Sequence, residues 1–420
     1  MSRIVITTIG SLGDLHPKIA IALELRDRGH QVVFATHKEY KDKIEALGFE
    51  FHRMRPDNTA LSDPQEMARM MDLKKGTEYV INHWVLPSLK DTYTDLASCA
   101  NKADFILAGE GVLAARLVAE KLDIPWASVV LQPLAFLSIH EPFVLPVLPA
   151  LSKLRVFGSL PSRGIRQLSK MMAKPWAAPV HKFRHDLGLP PLVGNPFIDD
   201  KYPPNLVLAL FSSIFAKPQP DWPKNTVQTG FVFFDGGFNK TPAPIPKLQD
   251  FLDNSEPPIV FTLGSAAVMS PGSFYQDSIQ ASQRLNRRAV LLVGKNPPPN
   301  NLPDNVIAID YAPYSQIFPA ACAIVHQGGI GTTAQALRAG RPTLIMPYSH
   351  DQPDNAARAE QLGTSRTLSR KRYSAATVER KLRNLLDDPS FATKAAKVAN
   401  ILQSEQGESV ACDAIERQLP

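Results

Sequence analysis

Between residues 3 and 36 the chain reads apolar run, helical stretch, apolar run, and from Pro258 the same grammar starts again. RIVITTI (3–9) and QVVFAT (31–36) have the length and β-branched content of buried strands. HPKIAIALELRDRGH, between them, carries apolar residues at helical spacing. Two strands joined through a helix must lie parallel, and a right-handed crossover is the arrangement that packs the helix back on the sheet. KEYKDKIEALG with FEFHRM, then FILAG, VLAARLVAEKL and WASVVL, continue the alternation to Leu131. PIVFTLGS (258–265), AVLLVG, NVIAID, CAIVH and PTLIMP repeat it, with helical stretches around 275–285, 331–339 and 354–362. This order predicts an α/β protein with two Rossmann-like domains.

The stretch after Leu131 reads as long and irregular, and the Pro-rich FAKPQPDWPKN (215–225) and TPAPIP (241–246) bracket a linker. The expected division is an N-terminal domain at 1–222, a linker at 223–246, a second domain at 247–395, and C-terminal helices at 396–420 packing back toward the first domain. Two such domains facing each other bring the C-terminal ends of both sets of strands to one cleft, where open α/β sheets bind ligands.

A formal charge of +6 on 420 residues is mild. It permits an anionic ligand or membrane surface without demanding nucleic acid, and neither an aromatic-interleaved basic motif nor zinc-finger spacing occurs. No nucleic-acid partner and no metal are expected. Cys99, Cys322 and Cys412 are widely spaced in apolar surroundings, which fits reduced buried thiols. The N-terminus enters a strand at once and lacks the long apolar run of a signal peptide, so a cytoplasmic protein is expected. The longest apolar stretch (127–151) is broken by Pro133, Pro142, Pro146 and Pro149, which argues against a membrane-spanning helix but leaves a peripheral contact open.

Three corners carry candidate chemistry. In IGSLGDLHP (9–17), Gly10 and Gly13 allow a tight turn, but the third glycine of a dinucleotide fingerprint is missing and no acid ends the second strand. Asp14 there either takes a proton from a substrate hydroxyl or caps the helix. HQGGIGTT (326–333) follows a strand and opens a helix, so its backbone N–H groups and dipole suit a phosphate; the alternative is a packing turn. In PYSHDQPDNAARAEQLG (347–363), Asp351 accepts while Gln352 both donates and accepts, a pair suited to a vicinal diol, unless Asp351 or Asp354 merely caps the helix.

YAPYSQIFP (311–319), HQGGIGTT, AGRPTLIMP and DQPDNAARAEQLG, in this order, resemble the nucleotide-sugar signature of glycosyltransferase family one, whose fold is GT-B. IGSLGDLHP with RGHQVVFAT is similar to the opening of its bacterial and sterol-glucosyltransferase branches, and DWPKNTVQTGFVFFDG with PPIVFTLGSA to rhamnolipid rhamnosyltransferases. The resemblance implies that Tyr311 stacks on the nucleotide base near the Ala312 backbone. His326 and the turn Gly328, Gly329, Gly331 and Thr332 would grip the diphosphate, with Gly264 and Ser265 approaching from the other side. Asp351 and Gln352 would bind the transferred sugar, and Asn355 would brace that corner. Asp14 falls where many members carry a histidine base, with His16 beside it as the second candidate, and Glu110 falls near a partner acid.

The activity this resemblance implies is that of an inverting, metal-independent glycosyltransferase needing no cofactor beyond its nucleotide-sugar co-substrate, UDP-glucose first and dTDP-rhamnose second. The acceptor would be a lipophilic hydroxyl compound. A GT-B epimerase and a non-catalytic nucleotide-sugar-binding protein are the alternatives. The stretch 152–185 carries Lys153, Arg155, Arg163, Arg166, Lys170, Lys174, Lys182 and Arg184 and no acid, so it either rests on anionic lipid or forms a solvated helical face.

Overall fold

The computed structural model describes residues 1–57, 63–141, 143–145, 160–236, 245–253 and 256–419. Among them, two parallel sheets form. The first holds β1 (Arg3–Thr7), β2 (Gln31–Thr36), β3 (Glu50–Arg53), β4 (Phe105–Gly109), β5 (Trp126–Val130), β6 (Val207–Ala209) and β7 (Thr226–Gln228), in the order β3-β2-β1-β4-β5-β6-β7. The second holds β8 (Ile259–Thr262), β9 (Ala289–Leu292), β10 (Val306–Ile309), β11 (Ala323–His326), β12 (Thr343–Ile345) and β13 (Ser365–Thr367), in the order β10-β9-β8-β11-β12-β13.

Both faces of each sheet are covered, which is why its strands read as continuous apolar runs. On β1, Ile4 and Ile6 enter one core while Val5 enters the core on the opposite face. In the register, Ile4 lies between Val32 and Phe105. Strand order reverses between β1 and β4 in the first sheet and between β8 and β11 in the second, and each reversal opens a crevice at the strand C-termini.

Three features correct the expected division. The stretch read as linker contributes β7 to the first sheet, where Val207 pairs with Thr226. The region read as irregular contains a helix, Leu160–Asp186, that runs through Pro175 and Pro179; both prolines face solvent, while Ala173, Ala177 and Val180 are buried. Part of the N-terminal span also belongs to the second core: Met67 and Met71, on and just after the helix Pro64–Met70, pack with Phe274 and Tyr348.

The chain's end returns to the first domain, through a helix that starts earlier than 396, at Pro389–Ser404, and a second at Gly407–Glu416. Ala411, Cys412, Ala414 and Ile415 join the core around the Leu12–Asp27 helix. Arg28 donates to Asp413 at 2.6 Å and Glu416 at 2.8 Å, and Glu405 accepts from Ser212 and the Phe231 amide. On the cleft side the halves are tied by the Val144 amide donating to Asp354 (2.8 Å) and by Arg358 paired with Glu141 (2.9 Å). All three cysteines are free, with Cys99 and Cys412 buried. Among the described residues no helix is long and apolar enough to cross a membrane.

Candidate active site

The residues singled out in the sequence gather at the two crevices. Asp14 follows β1 and Glu110 follows β4; Gly264 follows β8 and the HQGGIGTT corner follows β11. In the first corner Gly10 turns at φ +114°, and a Cβ there would stand 2.4 Å from Asp14 Oδ2. Only glycine lets the carboxylate fold over the turn. Asp14 Oδ2 accepts from the Ser11 amide at 2.8 Å, and the Ser11 hydroxyl accepts from the Gly13 amide, forming a capping box on the Leu12–Asp27 helix. Asp14 therefore does cap its helix, through one oxygen. His37 and Tyr40 hold the turn from below: His37 Nε2 accepts from the Gly10 amide (3.0 Å) and Tyr40 donates to the Gly10 carbonyl (2.8 Å).

His16 and Glu110 have other surroundings. The His16 ring meets Phe234 edge-on, 5.2 Å between centroids, and burial beside Lys43 pushes its pKa down to about 3, so it is neutral at physiological pH. Glu110 accepts from Lys201 at 2.9 Å and Tyr202 at 3.1 Å. The neighbouring Asp199 and Asp200 carboxylates are engaged as well, by Lys170 (2.9 Å) and Arg116 (2.8 Å).

The second corner leaves its helix end open. Gly329 is the N-cap of the Ile330–Arg338 helix, no side chain caps it, and the first N–H groups of a helix have no partner inside it. The glycines divide by role. Gly328 is held at φ +86°, where a Cβ would meet Ile345 at 2.8 Å, whereas a Cβ on Gly331 would meet nothing within 4 Å. Packing demands the first; Gly331 faces free space at the helix mouth. His326 is fully buried, and its Nδ1 accepts from the Gly328 amide at 3.0 Å, which places the imidazole proton on Nε2. That Nε2 has no partner, and burial lowers the pKa to about 3, so His326 offers a neutral N–H donor rather than a charge.

Gln327 fills the floor between β8 and β11. A Cβ on Gly264, at φ +66°, would stand 2.2 Å from Gln327 Nε2, while Gln327 Oε1 is buried without a partner. Ser265 follows at the same edge. Tyr311 is 55% exposed, with its hydroxyl donating to the Asp235 carbonyl (2.9 Å); the Ala312 side chain is buried in the core, leaving only its backbone for a ligand. Asp235 was not foreseen. Its carboxylate accepts from the Ser315 amide and from Gln335, so the segment before Gly236 lies along the edge where Tyr311 stands.

At the third corner Asp351 is the N-cap residue of the Gln352–Gln361 helix but makes no side-chain cap bond. Asn355 Nδ2 instead bridges Asp351 Oδ2 (2.6 Å) and the Gly328 carbonyl (3.0 Å), joining this corner to HQGGIGTT. Asp354 is not a cap either; it is buried against Arg358 and the Val144 amide. Gln352 Oε1 accepts from the Tyr348 and Ser349 amides, so its carbonyl is spent and only its N–H groups remain for a ligand, a correction to the expectation that it both donates and accepts. Burial drives the Asp351 pKa up to about 7, with the Asn355 bond opposing it and the charge of Asp14, in the first domain, raising it further.

Comparisons with known proteins bear on the family and the fold. Residues 4–136 match the glycosyltransferase family 28 N-terminal domain, and residues 283–415 the erythromycin biosynthesis protein CIII-like C-terminal domain. The chain is 30% identical to the O-mycaminosyltylonolide 6-deoxyallosyltransferase of Streptomyces fradiae, covering 99% of this chain and 97% of that protein. It is 28% identical to a sterol 3-beta-glucosyltransferase of Arabidopsis thaliana over its full length, but spans only 66% of that relative. The fold matches that of a spinosyn rhamnosyltransferase solved with thymidine diphosphate, with a TM-score of 0.68 at 18% identity over 99% of this chain and all of that one. The chain belongs to glycosyltransferase family one, has the GT-B fold, and is a nucleotide-sugar-dependent glycosyltransferase.

Proposed function

We propose that the enzyme transfers a hexose, with inversion and without a metal ion, from a nucleotide sugar to a hydroxyl of a lipophilic small molecule. The observation that carries this reading is the uncapped end of the Ile330–Arg338 helix, which Asn355 links to Asp351 through the Gly328 carbonyl and which packs through Ile330 on the core of the helix that bears Asp14. The acceptor hydroxyl gives its proton to Asp14 while its oxygen attacks the anomeric carbon, and the bond to the diphosphate breaks on the opposite face. The charge that develops on the leaving group meets the N–H groups of Gly331 and Thr332 and the His326 Nε2–H, fixed dipoles in place of a cation. Asp351 accepts from one sugar hydroxyl and Gln352 donates to its neighbour. Tyr311 stacks on the base.

UDP-glucose is the first donor in this reading, supported by the Asp351–Gln352 pair and by the sterol glucosyltransferase relative. dTDP-rhamnose is the second, supported by the 6-deoxyallosyltransferase relative and by the thymidine diphosphate in the spinosyn rhamnosyltransferase structure. The macrolide and sterol acceptors in the relatives' names support a lipophilic acceptor. Calorimetric titration with UDP and with dTDP, in chelator, tests the site: one nucleotide binds, and His326→Ala weakens it. Binding of neither would remove the diphosphate role of HQGGIGTT, and sugar-nucleotide interconversion without any acceptor would point to an epimerase.

The acceptor is met, in this reading, at an anionic membrane surface in the cytoplasm. Lys153 and Arg155 lie outside the described residues, and Arg166, Lys170 and Arg184 are paired with Asp221, Asp199 and Glu120. Support comes instead from the opposite face of the Leu160–Asp186 helix, where Leu160, Leu168, Met171 and Met172 are exposed beside exposed Arg163, Lys174 and Lys182. Apolar and cationic side chains on one face suit an anionic bilayer. Flotation with anionic vesicles should be lost in a Met171→Glu, Met172→Glu variant; equal flotation with neutral vesicles, or none with either, would end this part of the reading.

A further inference from the structure

The turn that carries the Asp351–Gln352 pair is built around an unusual residue. The Gln352 amide donates to the Ser349 carbonyl at 3.1 Å, so His350 and Asp351 are the two central residues of a tight turn. His350 stands at φ +55°, and a positive φ at the first central position is ordinarily left to glycine, asparagine or aspartate. What the imidazole touches accounts for it. His350 Nδ1 and the Thr77 hydroxyl share a hydrogen bond of 3.0 Å, and Thr77 lies on the helix Gly76–Val80, in the crossover that joins β3 to β4 of the first sheet. Gly76 permits this approach: a Cβ on it would stand 2.2 Å from the Met70 carbonyl and 3.6 Å from His350 Cε1. The same crossover meets the same turn twice more. Met67 and Met71 share a core with Tyr348, and the Ser349 hydroxyl donates to Met71 Sδ at 3.7 Å.

We propose that His350 is a positioning residue for the donor sugar: Thr77 of the first domain holds the imidazole, and the imidazole holds the turn in the left-handed conformation that presents Asp351 and Gln352 to the donor. The proposal rests on the reading of that pair as the sugar's ligands. The turn moves as a unit, because Gln352 Oε1 accepts from the Tyr348 and Ser349 amides on one side of His350 while Asp351 follows directly on the other. A change of backbone conformation at His350 therefore displaces both members of the pair. The Asp351 carboxylate is held through Oδ2 by Asn355, a bond that fixes one oxygen but not the path of the chain into it. The sugar half of the donor thus depends on a residue of the first domain, while the nucleotide half is gripped at HQGGIGTT and Tyr311.

Calorimetry of each variant with UDP and UDP-glucose, or with dTDP and dTDP-rhamnose if the wild-type protein binds that base, gives the ratio of the two dissociation constants. Thr77→Val removes the hydroxyl and keeps the shape. It should shift the ratio against the nucleotide sugar by about three- to tenfold, the worth of one hydrogen bond, with affinity for the nucleotide unchanged. His350→Gly accepts the positive φ but loses the contact, and should shift the ratio by a similar factor. His350→Asn tolerates the left-handed region and carries a polar atom in the place of Nδ1, so it should restore the wild-type ratio. A merely structural residue would give the opposite order, since glycine at a positive φ would serve at least as well as histidine. Wild-type ratios in both Thr77→Val and His350→Gly, or equal losses for nucleotide and nucleotide sugar, would overturn the proposal. A wild-type ratio in Asp351→Ala would instead overturn the sugar reading on which it rests.

Discussion

Two glycine-rich corners, one in each domain, follow the same local plan of strand, turn and helix, yet they end in opposite electrostatic states. In the corner after β1 the N-cap is Ser11 and the third helical residue is Asp14, and the two close a capping box over the helix end. In the corner after β11 the N-cap is Gly329 and the third helical residue is Thr332, and no side chain closes the end. The first helix start is satisfied by its own carboxylate, which is left facing the cleft; the second is left to be satisfied by an anion. A capped N-terminus can present a base but has little attraction for a diphosphate, and an uncapped one has the reverse property.

The sharpest way to separate the roles is Asp14→Asn. The amide oxygen can still accept from the Ser11 amide, so the cap survives while the base is lost. Turnover should fall by ~10²–10⁴-fold, with nucleotide affinity and melting temperature nearly unchanged. Thr332→Asp makes the second corner imitate the first: calorimetry should show nucleotide affinity falling on the order of 10²-fold, because like charges meet at the helix end, while the melting temperature holds or rises. His326→Ala leaves the corner uncapped but removes its buried N–H donor. The expected loss of nucleotide affinity is about 1.5–3 kcal/mol, the worth of a hydrogen bond to a charged group.

A pH series sharpens the contrast further. Asp351 has a raised pKa, so in the free enzyme it is ionised above about 7 and neutral below. Affinity for the intact nucleotide sugar should then fall as pH drops through 7, approaching tenfold per unit, and the effect should vanish in Asp351→Asn and for the nucleotide alone. Ser11→Ala, which breaks only the capping box, should give the smallest change, about 1 kcal/mol of stability in a denaturant titration.

Much of this architecture was legible in the sequence. Strands of four to six apolar residues announced themselves because both faces of each sheet are buried. β6, β7 and β13 are three residues each, too short for a period, and β7 sat between two Pro-rich stretches in the span read as linker. The Leu160–Asp186 helix was legible only as one of two readings of its basic stretch, because it runs through Pro175 and Pro179, residues that usually end helices and here face solvent. The packing of Met67 and Met71 on the second domain's core had no local signal, since it depends on contacts with residues some 200 positions or more away.

By itself the sequence determined the two sheets, the helix starts and the kinds of residue at each cleft corner, because strand length, helical period and turn chemistry are local properties. Tertiary structure decided what those residues can do. The Gly328 amide fixed the proton of His326 on Nε2, the Tyr348 and Ser349 amides left Gln352 only its N–H groups, and burial raised Asp351 toward neutrality. Proton position, free hydrogen-bonding capacity and charge state depend on what surrounds a side chain in space, and residues far apart in the chain supply those surroundings.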